Sequence, residues 1–371
     1  MAKSGIRKTS KTFVVILNVL IAILFLIACL SQLLNPSKYW WIGFLGILVP
    51  YFIFILFFYI IFWLIAKPKL ALISVLSLLI GWQQIFVFFA FNYNARFEKT
   101  KEENNIRIVD WNVESFNGLT KNKITKRHIR EDIAATIIEL QPDIICLQEF
   151  NSANHSGVQA DNISLFAKDY PYHYFSKDYQ RSNGAYSSGC IIFSKYRFID
   201  SGRIKYRVAE SLIYTDIVKA TDTFRIYTTH LQSFKFNKED YEGMEKIKEQ
   251  DEEALVASKN IFIKMKLAFK RRGVQATTVS TAIKRSPYPS VVCGDFNDVP
   301  NSYTYFHIKG ARQDVFLDKG LGIGRSFLAL APTLRIDYIL PDQNFSIKQF
   351  DMVDEGLSDH IMLVSDLALK K

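Results

Sequence analysis

Polar residues at the ends of apolar runs are the residues of this 371-residue sequence that could carry out chemistry. A strand end on a rigid scaffold can present a side chain to a cleft instead of the core. Each residue alone is more typical of a turn or a cap, but six such motifs recur, which predicts one shared site. The eight residues concerned are Asn112, Glu149, His230, Asp295, Asn297, Asp337, Asp359 and His360.

Carboxylates, amides and imidazoles in one site could hold a metal ion, activate a water molecule and donate hydrogen bonds. Phosphoester hydrolysis is one reaction that needs these groups, because a metal ion neutralises the phosphate and donors stabilise the charge that develops in the transition state. Oxygen ligands suit Mg²⁺, which keeps several waters and takes one or two carboxylates. The run Gly-Asp-Phe-Asn-Asp has alternating oxygen ligands, but it lacks the remaining positions of a calcium loop.

The elements that must position these residues are short strands separated by helices. Alternating or continuous apolar residues predict strands, and apolar residues at helical spacing predict helices over 125–140 and 238–272. Strands interspersed with helices over one domain indicate a layered α/β architecture. The predicted strands cover 106–113, 143–147, 190–193, 224–229, 290–293, 334–340 and 362–366.

The order and wording of the six motifs resemble the endonuclease/exonuclease/phosphatase superfamily. In chain order the motifs read Asp-Trp-Asn-Val, Leu-Gln-Glu-Phe, Thr-Thr-His-Leu, Gly-Asp-Phe-Asn-Asp, Arg-Ile-Asp-Tyr-Ile and Ser-Asp-His. The resemblance covers about 106–367, within a catalytic domain expected over 106–371. It implies the DNase I-like fold, a four-layer α/β sandwich of two packed sheets with helices outside. Bacterial sphingomyelinases and inositol polyphosphate phosphatases share this fold.

The resemblance also implies a metal site. Glu149 fits the family's metal ligand, Asn112 is expected beside it, and Asp359 is expected as a second carboxylate near the cation. Mg²⁺ is the implied ion, with Mn²⁺ as the alternative.

The remaining motif residues are implied to handle water, phosphate and protons. Asp295 and Asn297 are expected to position the attacking water and the phosphate. His360, oriented by Asp337, is expected to act as general base or phosphate partner. His230 is expected to donate a hydrogen bond or proton on the other side of the phosphate. The His-Leu pair at 230 is similar to DNase I-like nucleases, sphingomyelinases and inositol phosphatases, and unlike the abasic-site endonucleases.

A membrane segment is predicted over 1–95, followed by a linker over 96–105. The segment holds seven basic residues and no acidic residue. Its uncharged runs over 12–34, 39–66 and 70–91 each reach the roughly 20 residues that cross a bilayer, which predicts three transmembrane helices. Gly81, Gln83 and Gln84 interrupt the third run, so a short or interfacial helix is the alternative there. Leu26 to Cys29 also resembles a lipoprotein processing site, but an uncleaved signal anchor is the simpler interpretation.

Positive charge sets the expected orientation of this multi-pass protein in the cell (inner) membrane. Basic residues before the first run and in the turn at Lys67 and Lys69 favour the cytoplasmic side. Three spans would then place the catalytic domain outside the cytoplasm, whereas two spans would place it inside.

These patterns predict a membrane-anchored, Mg²⁺-dependent phosphoesterase that hydrolyses a phosphodiester, with a lipid head group as an attractive substrate. An extracytoplasmic nuclease is the alternative, and a non-catalytic, membrane-tethered binding protein is the second. After residue 95 the chain has 39 basic and 36 acidic residues. Because nucleases gain affinity from basic contacts with the phosphate backbone, this near-neutral balance does not favour nucleic acid as partner. The physiological substrate, the preference for monoester or diester and the oligomeric state stay open.

Overall fold

The computed structural model describes residues 2–93, 96–116, 123–153, 161–208, 210–249 and 254–370. The helices are α1 (Ala2–Ala28), α2 (Trp41–Ala66), α3 (Pro68–Ile80), α4 (Trp82–Phe86), α5 (Lys123–Glu139), α6 (Ser164–Ala167), α7 (Lys238–Glu249), α8 (Ala254–Lys284), α9 (Tyr303–Lys309) and α10 (Val315–Lys319). The strands are β1 (Ala90–Phe91), β2 (Ile106–Asn112), β3 (Ile144–Ala153), β4 (Tyr172–Phe175), β5 (Tyr179–Arg181), β6 (Tyr186–Ser194), β7 (Phe198–Lys205), β8 (Ser211–Lys219), β9 (Asp222–His230), β10 (Ser290–Asp295), β11 (Leu321–Gly322), β12 (Asp337–Pro341), β13 (Phe345–Val353) and β14 (Met362–Leu369).

Two large sheets form the catalytic domain. The first has the order β13-β14-β2-β3-β6-β4, with β5 also paired to β6, and the second has the order β12-β10-β9-β8-β7. Strands β2 and β3 are parallel, as are β9 and β10. Each parallel pair brings two carboxyl ends to the same edge of its sheet, which is where the predicted site residues lie.

The core has three apolar layers, which give the four-layer sandwich. Ile108 and Ile144 of the first sheet and Ile226 and Val291 of the second belong to one buried cluster between the sheets. Helices α5 and α6 cover the outer face of the first sheet. Helices α8 and α9 cover the outer face of the second sheet. Strands buried on both faces read as continuous apolar runs, and the predicted fold class is confirmed.

Two helices of the amino-terminal segment are long and apolar enough to cross a membrane. They cover Thr9–Gln32, where a short 3₁₀ turn continues α1, and Trp41–Ala66. Pro50 lies inside the second of them without ending it.

The third predicted span, over 70–91, is not one continuous helix. Helix α3 has 13 residues, or about 20 Å, which is shorter than the roughly 30 Å hydrocarbon layer. Gly81 separates α3 from α4, and a Cβ atom there would lie 2.5 Å from the Phe25 ring and 2.8 Å from the Cys29 Sγ. Close packing against α1 therefore requires a glycine at this position.

The predicted boundary at residue 95 and the linker over 96–105 also differ from the structure, because the chain joins the domain earlier. Ala90 and Phe91 pair with Gly322 and Leu321, and Ala90 is buried in the inter-sheet core. Phe97 packs on the outer core of the first sheet. Residues 96–105 are therefore partly held against the domain surface.

Polar contacts join the membrane segment to the domain. The Asn301 side chain donates to the Gln84 backbone oxygen at 2.8 Å and to its Oε1 at 2.9 Å. The Ser31 hydroxyl donates to the Asn301 carbonyl at 2.6 Å. In the loop between α1 and α2, the Asn35 amide donates to the Gly273 carbonyl at 3.2 Å. The α1–α2 loop and the end of α4 therefore lie on the domain side of the segment.

A buried ion pair holds the middle of the first sheet. Arg107 Nε lies 2.7 Å from Asp366 Oδ1, and both side chains are about 1% exposed. The same guanidinium donates to the carbonyls of Leu140 and Lys99. Removing one partner of such a pair leaves an uncompensated buried charge.

Replacing Arg107→Met should therefore lower the free energy of unfolding by about 3 to 5 kcal/mol. Urea denaturation of the full chain in mild detergent measures this change. The control Lys99→Met breaks only the exposed pair with Glu139 and should leave the urea midpoint unchanged. Equal midpoints for Arg107→Met and the parent chain would contradict the stabilising role of the pair.

Candidate functional site

Three site residues share one rung of the second sheet. Asp295, the last residue of β10, pairs with His230 of β9 on one side and with Asp337 of β12 on the other. Gly294 precedes this rung at a φ of +138°, and a Cβ atom there would lie 2.1 Å from the Thr229 oxygen. Only glycine fits this approach, which lets the Gly294 amide donate to Asp110 Oδ2 at 3.0 Å.

The first sheet contributes Asn112 and Glu149 from neighbouring strands. Asn112 ends β2 and Glu149 lies in β3 at an irregularity of its pairing with β6. Glu149 has a φ of +51°, an uncommon conformation for a residue that is not glycine. A bulge next to a functional site redirects a side chain, and here the Glu149 carboxylate is partly exposed, with 38% of the side chain accessible.

The loop before β14 brings in Asp359 and His360. Trp111 Nε1 donates to the His360 carbonyl at 2.8 Å, and the Ser358 hydroxyl donates to the Asn112 carbonyl at 2.7 Å. His360 Nδ1 lies 2.9 Å from Asp337 Oδ2. The loop is thereby fastened to both sheets.

Asp295 is the centre at which the predicted residues meet. Its Oδ2 accepts from the Asn112 and Asn297 side-chain amides, each at 3.1 Å. The Nε2 atoms of His230 and His360 lie 3.5 Å and 3.8 Å from the same oxygen.

The remaining distances complete the network. Asn112 Nδ2 lies 3.3 Å from Glu149 Oε1, and His230 Nε2 lies 3.7 Å from the same oxygen. Asp359 Oδ1 lies 3.9 Å from His360 Nε2. All eight residues selected from the sequence therefore lie in one contiguous cluster.

Glu210 is a site residue that sequence reasoning missed. It lies directly before β8, and its Oε1 is 3.5 Å from His230 Nδ1. The amino end of antiparallel β8 lies at the same edge as the carboxyl end of β9. The strand-forming residues Leu212, Ile213 and Tyr214 were the available signal for this strand, and no strand was predicted there.

Carboxylates dominate the electrostatics around His230. Burial opposes protonation of its imidazole, but the charges of Glu210, Asp295 and Glu149 outweigh this effect and raise the pKa of His230. Burial likewise raises the pKa of Glu210. His230 Nε2 is buried and has no hydrogen-bond partner among the described residues. This nitrogen faces the carboxylates of Asp295 and Glu149, at 3.5 and 3.7 Å.

Asp295 and His360 have strongly shifted pKa values. Burial and the neighbouring Asp337 raise the pKa of Asp295 to about 6. For His360, burial favours the neutral ring, but Asp337 and Asp295 overcome it and raise the pKa to about 10. Burial also raises the pKa of Asp359, with a smaller contribution from Glu149.

The Glu149 carboxylate has the chemistry of a divalent-cation ligand, whereas the adjacent Asn112 turns its amide nitrogen to Glu149 and its oxygen to the Glu114 amide. The partly exposed Glu149 carboxylate has room for a cation that keeps its waters, as Mg²⁺ does. Ligand atoms of Asp295, Asp337 and His360 also lie within 4.8 Å of one another. The Asp337–His360 ion pair already occupies that group, whereas the Glu149 carboxylate is partly exposed.

A second cluster of ligand-type atoms does not fit a metal. Asp110, Cys146 and Cys293 are fully buried between the sheets. The Asp110 oxygens already accept from the Gln148 side chain at 2.7 Å and the Gly294 amide at 3.0 Å. We interpret this cluster as a satisfied part of the core.

Comparisons with known proteins agree with this geometry. The sequence model of the Endonuclease/Exonuclease/phosphatase family matches residues 111–360, and a domain of unknown function (DUF8431) matches residues 11–88. No curated protein sequence matches the chain.

Two solved structures show the same fold. An endonuclease/exonuclease/phosphatase from Beutenbergia cavernae is 17% identical, with 72% of each chain covered and a TM-score of 0.50. The human nocturnin catalytic domain with bound sulfate is 19% identical, with 73% of this chain and 97% of that chain covered and a TM-score of 0.50. At these identities the likeness concerns the fold alone. Because the family match spans most of the chain, the protein belongs to the endonuclease/exonuclease/phosphatase family and is a hydrolase of phosphoester bonds.

Proposed function

We propose that the protein is a membrane-anchored, Mg²⁺-dependent phosphodiesterase that cleaves its substrate by attack of a water molecule. The observation that carries the proposal is the convergence on Asp295 of three side chains: Asn112 from the first sheet, His230 from the second sheet and His360 from the loop before β14. Carboxylate and imidazole groups at one cleft match what metal-assisted phosphoester hydrolysis requires.

Glu149 would hold the cation, with Asn112 beside it and Asp359 as a further carboxylate nearby. When bound, the cation would neutralise phosphate charge and favour formation of a negatively charged nucleophile. Mg²⁺ fits these oxygen donors, and Mn²⁺ is the alternative. His230 Nε2, which has no hydrogen-bond partner within the described chain, would donate to a phosphate oxygen.

Proton transfer is better assigned to Asp295 than to a histidine. A general base works best when its pKa lies near the working pH, and the pKa of Asp295 is about 6. His360, with a pKa of about 10, would be protonated at neutral pH and would donate to the phosphate. We therefore propose Asp295 as base and His360 as phosphate partner, in place of a histidine base.

The path of the helices supports a catalytic domain outside the cytoplasm. Near the start of α1, the Lys11 side chain lies next to Lys67 at the end of α2, whereas Ser31 and Gln84 contact the domain. The chain thus passes three times between a basic end and the domain end, with α3 and α4 together forming the third pass. Positive residues favour the cytoplasmic side, and we therefore propose that the domain lies on the opposite side.

A phosphodiester of a bilayer lipid is the favoured substrate class. The domain is attached directly to the membrane segment through Asn301 and Asn35, so its cleft is held close to lipid head groups. The near-neutral charge of the chain after residue 95 does not provide the basic surface that nucleic-acid binding requires.

Replacing Glu149→Gln should reduce phosphodiesterase activity at limiting Mg²⁺ by at least about 100-fold, because a cation ligand is lost. The full chain is stripped with EDTA, Mg²⁺ or Mn²⁺ is titrated back, and hydrolysis of bis(p-nitrophenyl) phosphate, phospholipid vesicles and DNA is measured. The control Glu139→Gln removes an exposed carboxylate and should behave as the parent. Activity on DNA alone would replace the lipid proposal with a nuclease.

Replacing Asp337→Asn should move the alkaline limb of the pH–activity profile to lower pH by about one unit or more. Activity requires Asp295 without its proton and His360 with its proton, so it should rise through the first pKa and fall through the second. Asp337 raises both pKa values, and its hydrogen bond to His360 makes the alkaline limb the more sensitive one. The exposed Asp222→Asn is the control. An unmoved alkaline limb would contradict the assigned role of His360.

Reporter fusions in a bacterial host test the orientation. Alkaline phosphatase fused after Lys371 should be active, and a green fluorescent protein fused there should be dark, because the domain would lie outside the cytoplasm. Fusions after Lys69, at the basic end, should give the reverse pair of signals and serve as the internal control. Fluorescence at Lys371 would place the domain in the cytoplasm.

A further inference from the structure

A cavity outside the catalytic cluster lies where the domain meets the membrane segment. It has a volume of about 540 Å³ and is bordered by α8, by residues 205–208 after β7, and by Ser37 of the α1–α2 loop. The loop is held against α8, because the Asn35 amide donates to Gly273 and a Cβ atom on Gly273 would lie 2.8 Å from the Ser37 amide nitrogen. The cavity is therefore fixed at the boundary between domain and bilayer.

The charge of this cavity is entirely positive. Lys205, Arg207, Lys270 and Arg271 line it, and its lining contains no carboxylate. Within the part of the chain that the structure describes, none of the four forms an ion pair, although Arg271 donates to Gln232 Oε1 at 3.0 Å. Four basic side chains around one cavity favour an anionic group such as a phosphate.

Exposed apolar side chains border the same cavity. Val208 and Val274 line it and are 57% and 52% exposed. Trp40 and Trp41 follow the α1–α2 loop closely, and tryptophan is enriched at the level of lipid head groups. Lys266 of α8 lies over the Trp40 ring at 4.5 Å. Apolar edges at this level suit a ligand whose polar part enters the cavity while its acyl chains stay in the bilayer.

We propose that this cavity is a binding site for the acidic head group of a bilayer phospholipid. A soluble phosphate compound would meet the same four cations, but it would not use the two valines or the membrane-level position. The site adjoins the catalytic cluster, because Arg271 contacts Gln232, two residues after His230. The inference rests on the proposed membrane insertion and does not depend on the catalytic residues.

The test is lipid binding by the full chain in dodecylmaltoside micelles. Phosphatidylglycerol or phosphatidylcholine is titrated in, and bound lipid is counted by native mass spectrometry. Each basic residue near a membrane surface contributes about fivefold to the binding of anionic lipid. The variant Lys205→Gln/Arg207→Gln/Lys270→Gln should therefore bind phosphatidylglycerol about 100-fold more weakly, with no change for phosphatidylcholine. The control Lys168→Gln/Arg197→Gln/Lys348→Gln removes the same charge outside the cavity and should bind as the parent.

Several outcomes would overturn the proposal. Equal phosphatidylglycerol binding by parent and cavity variant would show that Lys205, Arg207 and Lys270 hold no lipid. Displacement of phosphatidylglycerol by millimolar glycerol phosphate would identify a soluble ligand instead. Hydrolysis of bis(p-nitrophenyl) phosphate reports folding of the variants, and Arg207→Gln alone replaces the triple variant if that activity is lost. If the catalytic proposal failed, this hydrolysis would be absent while lipid binding remained. If the full chain were found in the fraction without membranes after cell lysis, the proposed membrane insertion would be contradicted.

Discussion

A carboxylate removed from water at the edge where two sheets meet is the constraint on which the catalytic domain depends. Asp295 is 1% exposed, and a buried charge is tolerated only with hydrogen-bonding or charged partners. Those partners come from separate parts of the chain: Asn112 from the facing sheet, His230 from the next strand and His360 from the loop before β14. Satisfying one oxygen therefore aligns both sheets and assembles the site.

The same strand end also determines where the site lies relative to the membrane segment. The chain after Asp295 reaches Asp298, whose Oδ2 accepts from the buried Arg272 of α8 and from the Thr304 hydroxyl. Three residues later, Asn301 contacts Gln84 and the α1 end of the segment. A stretch of seven residues spans at most about 25 Å. The distance between the cleft and the membrane segment is thus limited by a short, doubly fastened loop.

Strands that are buried on both faces, and the polar residues that follow them, could be predicted from the sequence. Strand β2 alternates apolar residues up to Asn112, β10 is a short apolar run that ends at Asp295, and the apolar start of β3 precedes Glu149. Pattern and position were therefore both readable. Edge strand β7 is only partly buried, so its sequence has no regular pattern of apolar residues that would predict a strand. Glu210 was missed with β8, because a residue before an unpredicted strand has no predicted place. The single helix expected over 238–272 is two helices in the structure, α7 and α8. The burial of Ala90 between the two sheets could not be predicted, because hydropathy does not show which distant residues a side chain contacts.

Basic residues of the domain fall into two groups, one buried in internal ion pairs and one lining the cavity beside the amino-terminal helices. Three of its largest fully buried side chains are arginines, and each neutralises an internal carboxylate; these pairs are Arg107–Asp366, Arg272–Asp298 and Arg335–Asp314. Their charge is unavailable for an extended polyanion. The catalytic edge itself is rich in carboxylates, which repel a phosphate chain until a cation binds. Four further basic side chains line the cavity beside the amino-terminal helices. This arrangement is consistent with the proposal that the ligand is a single phosphate of a bilayer lipid and not a long nucleic-acid backbone.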